Sequence, residues 1–312
     1  MLKKKVAIIG AGIAGISAAR TLQNAGLSVV VFEKSRGWGG RCATKRWEGQ
    51  TLDHGAQYFT MRDPGFRESA QAACGGELRL ISGRMISETG QDLPAEERYY
   101  HAEGNSRLVR ALGAGLEVRT ECAIGPMAGL TVCGEDFDAI LSTAPLPQTC
   151  LLAGISPEIK PCVPCLTALL LYAGGPSGPA MEIYAISNRS GSPLEWSACE
   201  NHKSGRISPD KTAMIAQASA DFSREYLEAD PAEWGGILQR LVEARWELSA
   251  GSLLKIHTHR WRYARTEPAA SLPAFPEGWF FAGDAIRGSR VESAWIAGRD
   301  EAHRIAGALR YT

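Results

Sequence analysis

The sequence predicts an α/β fold with a parallel sheet that begins near the N-terminus. Two runs of apolar, mostly β-branched residues, 6–9 and 29–32, flank an alanine-rich run at 16–25 that suits a helix. Gly26 ends the helical run, and a third apolar segment, 279–282, lies near the other end of the chain. Strands that alternate with helices are typical of a parallel sheet covered on both faces. We therefore expect a strand–helix–strand unit at the start of the chain.

Glycines in the first turn have the spacing that a dinucleotide-binding loop requires. Gly10 allows a tight turn, Gly12 lets a pyrophosphate approach the backbone, and Gly15 permits close packing of helix and sheet. The phosphates would lie at the helix N-terminus, around Ile13 and Ala14, where free N–H groups and the helix dipole favour negative charge. The alternative is a strand–helix–strand unit that binds no ligand.

An acidic residue ends the second strand. Glu33 follows Gly10 by 23 positions, close to the separation of about 20 at which a carboxylate binds a ribose hydroxyl in such folds. The glycine spacing, the flanking strands and this acid together predict a dinucleotide site.

Composition argues against several other classes of protein. The 312 residues carry 34 basic and 34 acidic side chains, so no net positive charge favours nucleic acid or an anionic membrane as a partner. No apolar run reaches the roughly 20 residues that span a bilayer, and the basic start at residues 3–5 belongs to the first strand rather than to a signal peptide. We expect a cytoplasmic protein, whose length and 45% hydrophobic content suit two subdomains.

Eight cysteines are scattered through the chain, and Cys162 and Cys165 form its one CxxC. A single CxxC cannot complete a four-ligand zinc site, so no metal is predicted. A dithiol reductase of the thioredoxin reductase type is an alternative, but it needs a second dinucleotide loop. The glycine-rich candidate at 174–179 contains two prolines, which remove backbone N–H groups. The sequence favours buried, unreactive thiols.

Two further segments resemble cofactor-binding sequences of flavoenzymes. Residues 34–41 look like the glycine–glycine–arginine extension of FAD enzymes of the amine oxidase type. There, Gly39 and Gly40 let the backbone pass close to the cofactor, and Arg41 can bind a pyrophosphate through two parallel donors. A segment near the C-terminus that ends in Asp284 resembles the flavin-family strand whose aspartate holds the ribitol chain. FAD is therefore favoured over NAD, with a solvated basic loop as the alternative for the first segment.

The order of the patterns along the chain predicts a discontinuous cofactor domain. Apolar runs between turn signals resume after residue 103, whereas strands at 166–172 and 213–217 and an amphipathic helix at 231–248 have a different character. The predicted FAD-binding domain comprises residues 1–60, 103–146 and 274–312, and the predicted α+β substrate domain comprises residues 61–102 and 147–273.

Five segments resemble the bacterial renalase branch of the flavin-containing amine oxidase superfamily. They are residues 34–46, 52–63, 192–203, 259–265 and 283–302. The resemblance implies a glutathione-reductase-like Rossmann domain with an inserted substrate cap, and non-covalently bound FAD. It also implies an oxidase that takes a hydride from isomeric dihydronicotinamide dinucleotides, 2- or 6-dihydro-NAD(P), to flavin N5. NAD(P)+ then leaves and O2 reoxidises the flavin to give hydrogen peroxide, so no catalytic side chain is assigned.

Candidate site residues follow from these motifs and from the resemblance. The predicted cofactor-binding residues are Gly10, Gly12, Ile13, Ala14, Gly15, Glu33, Lys34, Gly39, Gly40, Arg41, Gln57, Tyr58, Gly283, Asp284, Arg290, Val291 and Glu292. The predicted substrate-binding residues are Tyr58, Phe59, Thr60, Trp196, His259 and Trp261. Tyr58 and Trp261 are the strongest candidates for stacking on a nicotinamide, although core packing is the commoner use of such rings. His54, His257 and His259 lie in segments expected to face the cofactor or substrate, with a structural hydrogen bond as the alternative role for each.

Two other functions stay open. An amine oxidase or another CH–NH oxidase could have the same fold, but Arg260 and Arg262 would repel a protonated amine and attract the phosphates of a dinucleotide. A sensor or chaperone that holds FAD without turnover belongs to a different class. The choice between NAD and NADP, the physiological electron acceptor and the oligomeric state are left open.

Overall fold

The computed structural model describes residues 3–158, 162–188, 191–266 and 272–310. The strands are β1 (Lys5–Ile9), β2 (Ser28–Phe32), β3 (Thr44–Trp47), β4 (Gln50–Asp53), β5 (Leu78–Leu80), β6 (Arg84–Ser87), β7 (Tyr99–His101), β8 (Val118–Arg119), β9 (Thr131–Val132), β10 (Glu135–Asp136), β11 (Ala139–Ser142), β12 (Val163–Ala173), β13 (Ile183–Ser187), β14 (Leu194–Cys199), β15 (Lys211–Ala218), β16 (Leu253–Arg265) and β17 (Trp279–Phe281). The helices are α1 (Ile13–Asn24), α2 (Pro64–Cys74), α3 (Asn105–Leu112), α4 (Leu146–Leu152), α5 (Ala220–Glu225), α6 (Pro231–Trp246), α7 (Asp284–Arg287) and α8 (Val291–Leu309).

The predicted strand–helix–strand unit is confirmed at the N-terminus. β1 and β2 are neighbours in a five-stranded sheet of order β17-β11-β1-β2-β8, and every pairing in it is parallel. The carboxyl ends of the strands therefore lie along one edge of the sheet, where the loops that follow β1, β2, β11 and β17 meet. Ligands of open parallel sheets bind at such an edge. The chain is an α/β protein, as predicted.

Helix α8 is held against α1 by close backbone contact. A Cβ atom added at Gly298 would lie 2.1 Å from the carbonyl oxygen of Ala14, so only glycine allows this approach. The Ser17 hydroxyl donates a hydrogen bond to the Trp295 carbonyl at 2.8 Å. These contacts fix the start of α8 beside the loop that follows β1. Within the described residues, no helix is long and apolar enough to cross a bilayer.

A second sheet of six strands has the order β16-β12-β15-β14-β13-β6 and is antiparallel except for the β13–β6 pair. We call this sheet and helices α5 and α6 the cap. The predicted strands at 166–172 and 213–217 lie within β12 and β15, and the predicted helix at 231–248 is α6. α6 buries Trp234, Leu238, Val242 and Trp246 against the sheet.

The two layers exchange segments more than the predicted boundaries allow. Within 61–102, α2 packs with the layer formed by the parallel sheet and helices α1 and α8, where the Phe66 ring lies 5.4 Å from that of Trp295, whereas β6 joins the cap sheet. The β3–β4 hairpin falls within 1–60, yet its Leu52 packs against Leu169 and Leu171 of the cap. The chain crosses between the layers several times, and a hydrophobic pattern does not reveal which of two cores a segment joins.

Candidate dinucleotide-binding site

A large cavity lies between the carboxyl edge of the parallel sheet and the cap. Its volume is about 1700 Å³. The ends of β1 and β2 contribute Ile9 and Phe32 to its wall, and the cap contributes Cys165, Gln217 and Trp261. The cavity therefore lies at the position where an open parallel sheet binds its ligand.

The glycine loop leaves room for a ligand at one position and is tightly packed at the other two. Gly10 has φ +107°, and a Cβ atom there would lie 2.7 Å from the Thr143 hydroxyl oxygen. A Cβ atom at Gly15 would lie 2.0 Å from the Gly10 carbonyl oxygen, so this glycine is required for the turn itself. A Cβ atom at Gly12 would meet no atom within 4 Å, and it is the N-cap of α1 without a side-chain cap. The free N–H groups of α1 and the open space at Gly12 fit a pyrophosphate.

Glu33 stabilises this loop through hydrogen bonds to its backbone. Its buried carboxylate accepts hydrogen bonds from the backbone N–H groups of Ala11, at 2.9 Å, and Ser35, at 2.8 Å. A carboxylate has about four acceptor positions, so both oxygens can still accept a hydrogen bond from a ribose hydroxyl. Lys34 follows Glu33 in the cavity wall.

Arg41 and Asp284 come from opposite ends of the chain and form a bidentate ion pair. The guanidinium nitrogens lie 2.5 and 2.9 Å from the two carboxylate oxygens. Burial alone would raise the pKa of Asp284, but the hydrogen bonds and charge of Arg41 outweigh it and hold this pKa below its usual value. The sequence assigned Arg41 to the pyrophosphate and Asp284 to the ribitol, and the structure brings the two side chains together in the cavity wall.

Other predicted cofactor residues divide into those that face the cavity and one that lies behind its wall. Residues that line the cavity are Ile13, Ala14, Gly39, Gly40, Gln57, Tyr58, Gly283, Arg290 and Val291. Glu292 is buried, and its carboxylate accepts hydrogen bonds from the Thr60 hydroxyl, at 2.9 Å, and the Asp63 N–H, at 2.5 Å. The placement differs from the prediction, because Glu292 ties residues 60–63 to α8 instead of reaching a ligand.

Three aromatic side chains, His54 directly after β4 and His259 and Trp261 of β16, form one part of the cavity wall on the side of the cap. The His54 and Trp261 rings stack with centroids 5.4 Å apart, and the His259 ring meets that of His54 edge-on at 4.8 Å. The Trp261 indole N–H donates a hydrogen bond to the His54 carbonyl at 2.9 Å. Burial lowers the pKa of His54 to about 3 and also lowers that of His259, so both rings are neutral near pH 7. This surface offers flat, uncharged rings to a ligand.

Tyr58 and Trp196 form a second aromatic pair in the wall, with centroids 6.1 Å apart. Two of the other predicted substrate residues make their main contacts with the protein interior. Phe59 is 2% exposed and packs against Phe66 and Tyr99, and the Thr60 hydroxyl is bound to Glu292. Tyr58, Trp196, His259 and Trp261 are therefore the predicted substrate residues whose rings are available at the cavity.

A buried cluster of four charges, which sequence reasoning did not single out, joins the cap to the β3–β4 hairpin. Asp53, Glu200, Lys203 and Arg206 are all fully buried. Lys203 Nζ lies 3.1 Å from Asp53 and 2.7 Å from Glu200, and Arg206 lies 2.5 Å from Asp53. Burial favours the neutral acid, but Lys203 and Arg206 lower the pKa of Asp53 to about 2. Asp53 directly precedes His54, so this cluster positions the aromatic wall.

The charge of the lining is a second feature that the sequence did not reveal. Eleven lysine and arginine residues contact the cavity against four acidic residues, in a chain of zero net charge. The arginines come from segments as distant as Arg36, Arg110 and Arg290. Only the folded chain collects them, and such a cavity concentrates anionic ligands.

The side chains used to argue against an amine substrate are less decisive than predicted. Arg260 and Arg262 both line the cavity, but Arg260 donates to the Ala229 carbonyl and Arg262 forms an ion pair with Glu228.

The two cysteines of the CxxC do not contact each other through their thiols. Cys162 contacts the Thr266 hydroxyl, and Cys165 contacts the Thr167 hydroxyl. Among the described residues, no group of three or more histidine, cysteine, aspartate or glutamate side chains could hold a metal ion.

The chain matches the family model of an NAD(P)-binding Rossmann-like domain over residues 8–71. A hydroxysqualene dehydroxylase of Sinorhizobium fredii is 35% identical over 109 residues, which are 34% of this chain and 26% of that protein. Protoporphyrinogen oxidase 2 of Arabidopsis thaliana is 34% identical over 87 residues, 25% of this chain and 17% of that protein. The matches thus cover about a quarter or less of the length of these relatives.

Solved structures match along the whole chain at low sequence identity. Cyclohexylamine oxidase from Brevibacterium oxydans has a TM-score of 0.76 at 12% identity, with 99% of this chain and 100% of that chain covered. A candidate protoporphyrinogen oxidase from Exiguobacterium has a TM-score of 0.79 at 15% identity, with 99% and 100% covered. Residues 8–71 therefore match an NAD(P)-binding Rossmann-like domain, and the whole chain has the fold of these oxidases.

Proposed function

We propose that this protein is an FAD-dependent oxidoreductase that oxidises isomeric dihydronicotinamide dinucleotides, as the renalase-like segments imply. The observation that carries the proposal is one cavity with a dinucleotide loop on one wall, neutral aromatic rings on the other, and an excess of arginine across the whole lining. Its volume of about 1700 Å³ exceeds the 300–1,000 Å³ of ordinary ligand pockets, which leaves room for a dinucleotide substrate beside the cofactor.

The residues of the nucleotide-binding wall fit non-covalent FAD. The α1 N-terminus and the space at Gly12 would receive the pyrophosphate, and Glu33 would accept a ribose hydroxyl. Asp284, kept ionised by Arg41, would accept hydrogen bonds from the ribitol hydroxyls. FAD supplies hydride acceptance from the substrate and transfer of the electrons to an acceptor, for which we propose O2, with hydrogen peroxide as the product.

The cap side binds and orients the second ligand. The rings of His54, Trp261, Tyr58 and Trp196 can stack on a dihydropyridine, and the arginines of the lining attract the phosphates of the dinucleotide. The low pKa of His54 keeps its ring uncharged, so it does not repel the positive charge that develops on the ring as hydride leaves. A dihydropyridine loses hydride without losing a proton, so the mechanism requires positioning and exclusion of water but no base.

Oxidation of an amine is the second candidate, because the fold is shared with cyclohexylamine oxidase. An amine would need its ammonium group bound and deprotonated, and the excess of arginine in the lining opposes the binding of a cation.

Anaerobic flavin reduction tests the proposal. The purified, flavin-loaded protein is mixed in turn with 2- or 6-dihydro-NAD(P), ordinary NADH and simple amines, and the flavin absorbance is followed. Rapid bleaching by the isomeric dinucleotides alone is the expected result. Bleaching by amines alone would show an amine oxidase, and a flavin that no compound bleaches would show a binding protein without this activity.

A further inference from the structure

Two cysteines that are not part of the CxxC lie side by side, and one of them, Cys122, lines the cavity. The sulfur atoms of Cys122 and Cys133 are 3.1 Å apart, which is about 1 Å more than a disulfide bond length. Cys133 is exposed and Cys122 is partly buried, so both can be reached by a small solute. Neither thiol has a role in the proposed chemistry.

The conformation of Cys133 makes this arrangement unusual for a turn. Cys133 and Gly134 connect β9 to β10, and their φ angles are +50° and +79°. Two-residue turns with positive φ at both positions favour asparagine or aspartate followed by glycine. Cysteine is less favourable in this region of φ, so turn formation does not explain its presence. The turn instead directs the Cys133 thiol at Cys122.

Cys122 is attached to the segment that carries the predicted ribose-binding acid. Its backbone N–H donates a hydrogen bond to the Glu33 carbonyl at 2.9 Å, and the N–H of Glu121 donates to the Ser35 carbonyl at 3.1 Å. Cys122 and Glu33 both line the cavity. A change in the mobility of Cys122 therefore acts directly on this part of the nucleotide-binding wall.

We propose that Cys122 and Cys133 are a redox-active pair whose disulfide fixes the wall beside Glu33 and slows release of the bound dinucleotide. The β9–β10 hairpin is held in the fold by ion pairs of Glu135 with Lys5 and Arg119. A bond from its turn to Cys122 would therefore tie the wall to the parallel sheet. Restricting a binding segment to its bound position strengthens binding by lowering the cost of ordering it.

Hydrogen peroxide is the oxidant for this step. The thiolate of one cysteine attacks a peroxide oxygen, the O–O bond breaks, sulfur keeps one oxygen as sulfenic acid, and the other oxygen leaves as hydroxide and takes up a proton to become water. The second thiol then attacks the sulfenic sulfur, the S–S bond forms and a second water leaves. In sum, two thiols lose two electrons and two protons, and one peroxide becomes two waters.

Mass spectrometry of the flavin-loaded protein after treatment with one equivalent of hydrogen peroxide tests the pair. We expect the free thiols to fall from eight to six and a peptide map to join Cys122 to Cys133. Cys133→Ser is expected to form no disulfide, whereas the control Cys74→Ala, altered in α2, is expected to form the same bond as the unchanged protein. Eight remaining thiols, or a bond between another pair, would overturn the proposal.

The effect on the cofactor is measured separately, as the rate at which flavin fluorescence rises after dilution. We expect release from the oxidised protein to be slower by on the order of threefold to tenfold than from the reduced protein, with no such difference in Cys133→Ser. Equal rates with the disulfide formed would overturn the coupling to the cavity. This coupling rests on the proposed cofactor site, whereas the thiol count does not, so a protein that binds no flavin would overturn the proposed function and leave the disulfide test intact.

Discussion

The two walls of the cavity are held in place by different means. The wall around the glycine loop presents backbone groups of a short stretch of sequence, where Gly10, Gly15 and Glu33 set the path of one loop. The cap wall consists of side chains from distant segments, positioned by buried charges such as Asp53 and Lys203. The shape of the glycine loop therefore depends on positions that lack a side chain. The shape of the cap wall depends on specific side chains and on their charges.

This difference predicts how each wall responds to substitution. Substitutions in the glycine loop should weaken ligand binding sterically, because an added side chain occupies space that the ligand needs. They should have little electrostatic effect. Substitutions in the cap wall should lower the free energy of unfolding and change its dependence on pH. A buried charge that loses its partner is costly because it is closed to water.

The largest effect is expected from removing one cation of the buried cluster. Lys203→Met leaves Asp53 and Glu200 with Arg206 as their remaining cationic partner in a site closed to water. Breaking a buried ion pair from one side costs about 3–5 kcal/mol. The free energy of unfolding from urea titration is expected to fall by that amount at pH 7.

Lys255→Met is the matched control, because Lys255 forms a comparable 2.8 Å ion pair with Glu48 at the surface. An exposed pair contributes about 0–1 kcal/mol, so this variant should remain close to the unchanged protein. Equal losses in the two variants would contradict the idea that the cluster positions the cap.

The next effect concerns pH and the His54 ring. Its pKa is about 3 in the folded protein and about 6.5 in the unfolded chain, so between these values the unfolded chain binds a proton that the folded protein does not. Stability is thus highest above pH 6.5 and decreases as the pH falls toward 3, by up to about 1.4 kcal/mol per pH unit from this group.

Urea titrations between pH 7 and pH 5 measure this slope. His54→Gln is expected to have a shallower slope than the unchanged protein, and His303→Gln, altered at an exposed position of α8, is expected to keep the original slope. The remaining slope of His54→Gln comes from other partly buried histidines such as His259, whose pKa is also lowered by burial. Identical slopes in all three proteins would show that His54 takes up a proton without penalty.

The two walls also differ in how much of each could be predicted from the sequence. The glycine spacing identified the first loop, because its contacts join residues close in the chain. The buried charge cluster was not predicted, because Asp53 and Glu200 are 147 positions apart in the sequence and nothing in it indicates their contact. Glu292 was assigned to the cofactor from its place in a motif, but its contacts with Thr60 and Asp63 can be found only in the fold. A CxxC spacing likewise missed the neighbouring pair of Cys122 and Cys133.

A smaller effect on stability, but a clear one on binding, is expected at Gly12. A Cβ atom there meets no protein atom within 4 Å, so Gly12→Ala should unfold within about 0.5 kcal/mol of the unchanged protein. The added methyl group would lie where the pyrophosphate of the proposed FAD approaches the backbone, and the affinity for FAD should fall by about tenfold, or about 1.4 kcal/mol. Flavin binding to the apoprotein is measured by fluorescence quenching. Gly76→Ala, also made in open space but on another surface, should bind FAD normally, and unchanged affinity in Gly12→Ala would place the phosphates elsewhere.

The smallest difference is expected between two tryptophans of the cap wall. Trp261 donates its indole N–H to the His54 carbonyl, whereas the Trp196 indole N–H is buried and has no hydrogen-bond partner among the described residues. Phenylalanine keeps an aromatic ring and removes the donor, so Trp261→Phe loses a hydrogen bond and Trp196→Phe loses an unsatisfied polar group. Both variants lose ring volume, and their difference isolates the donor. The free energy of unfolding should be about 1 kcal/mol lower for Trp261→Phe than for Trp196→Phe, and the opposite order would mean that the stacked His54 ring does not depend on this hydrogen bond.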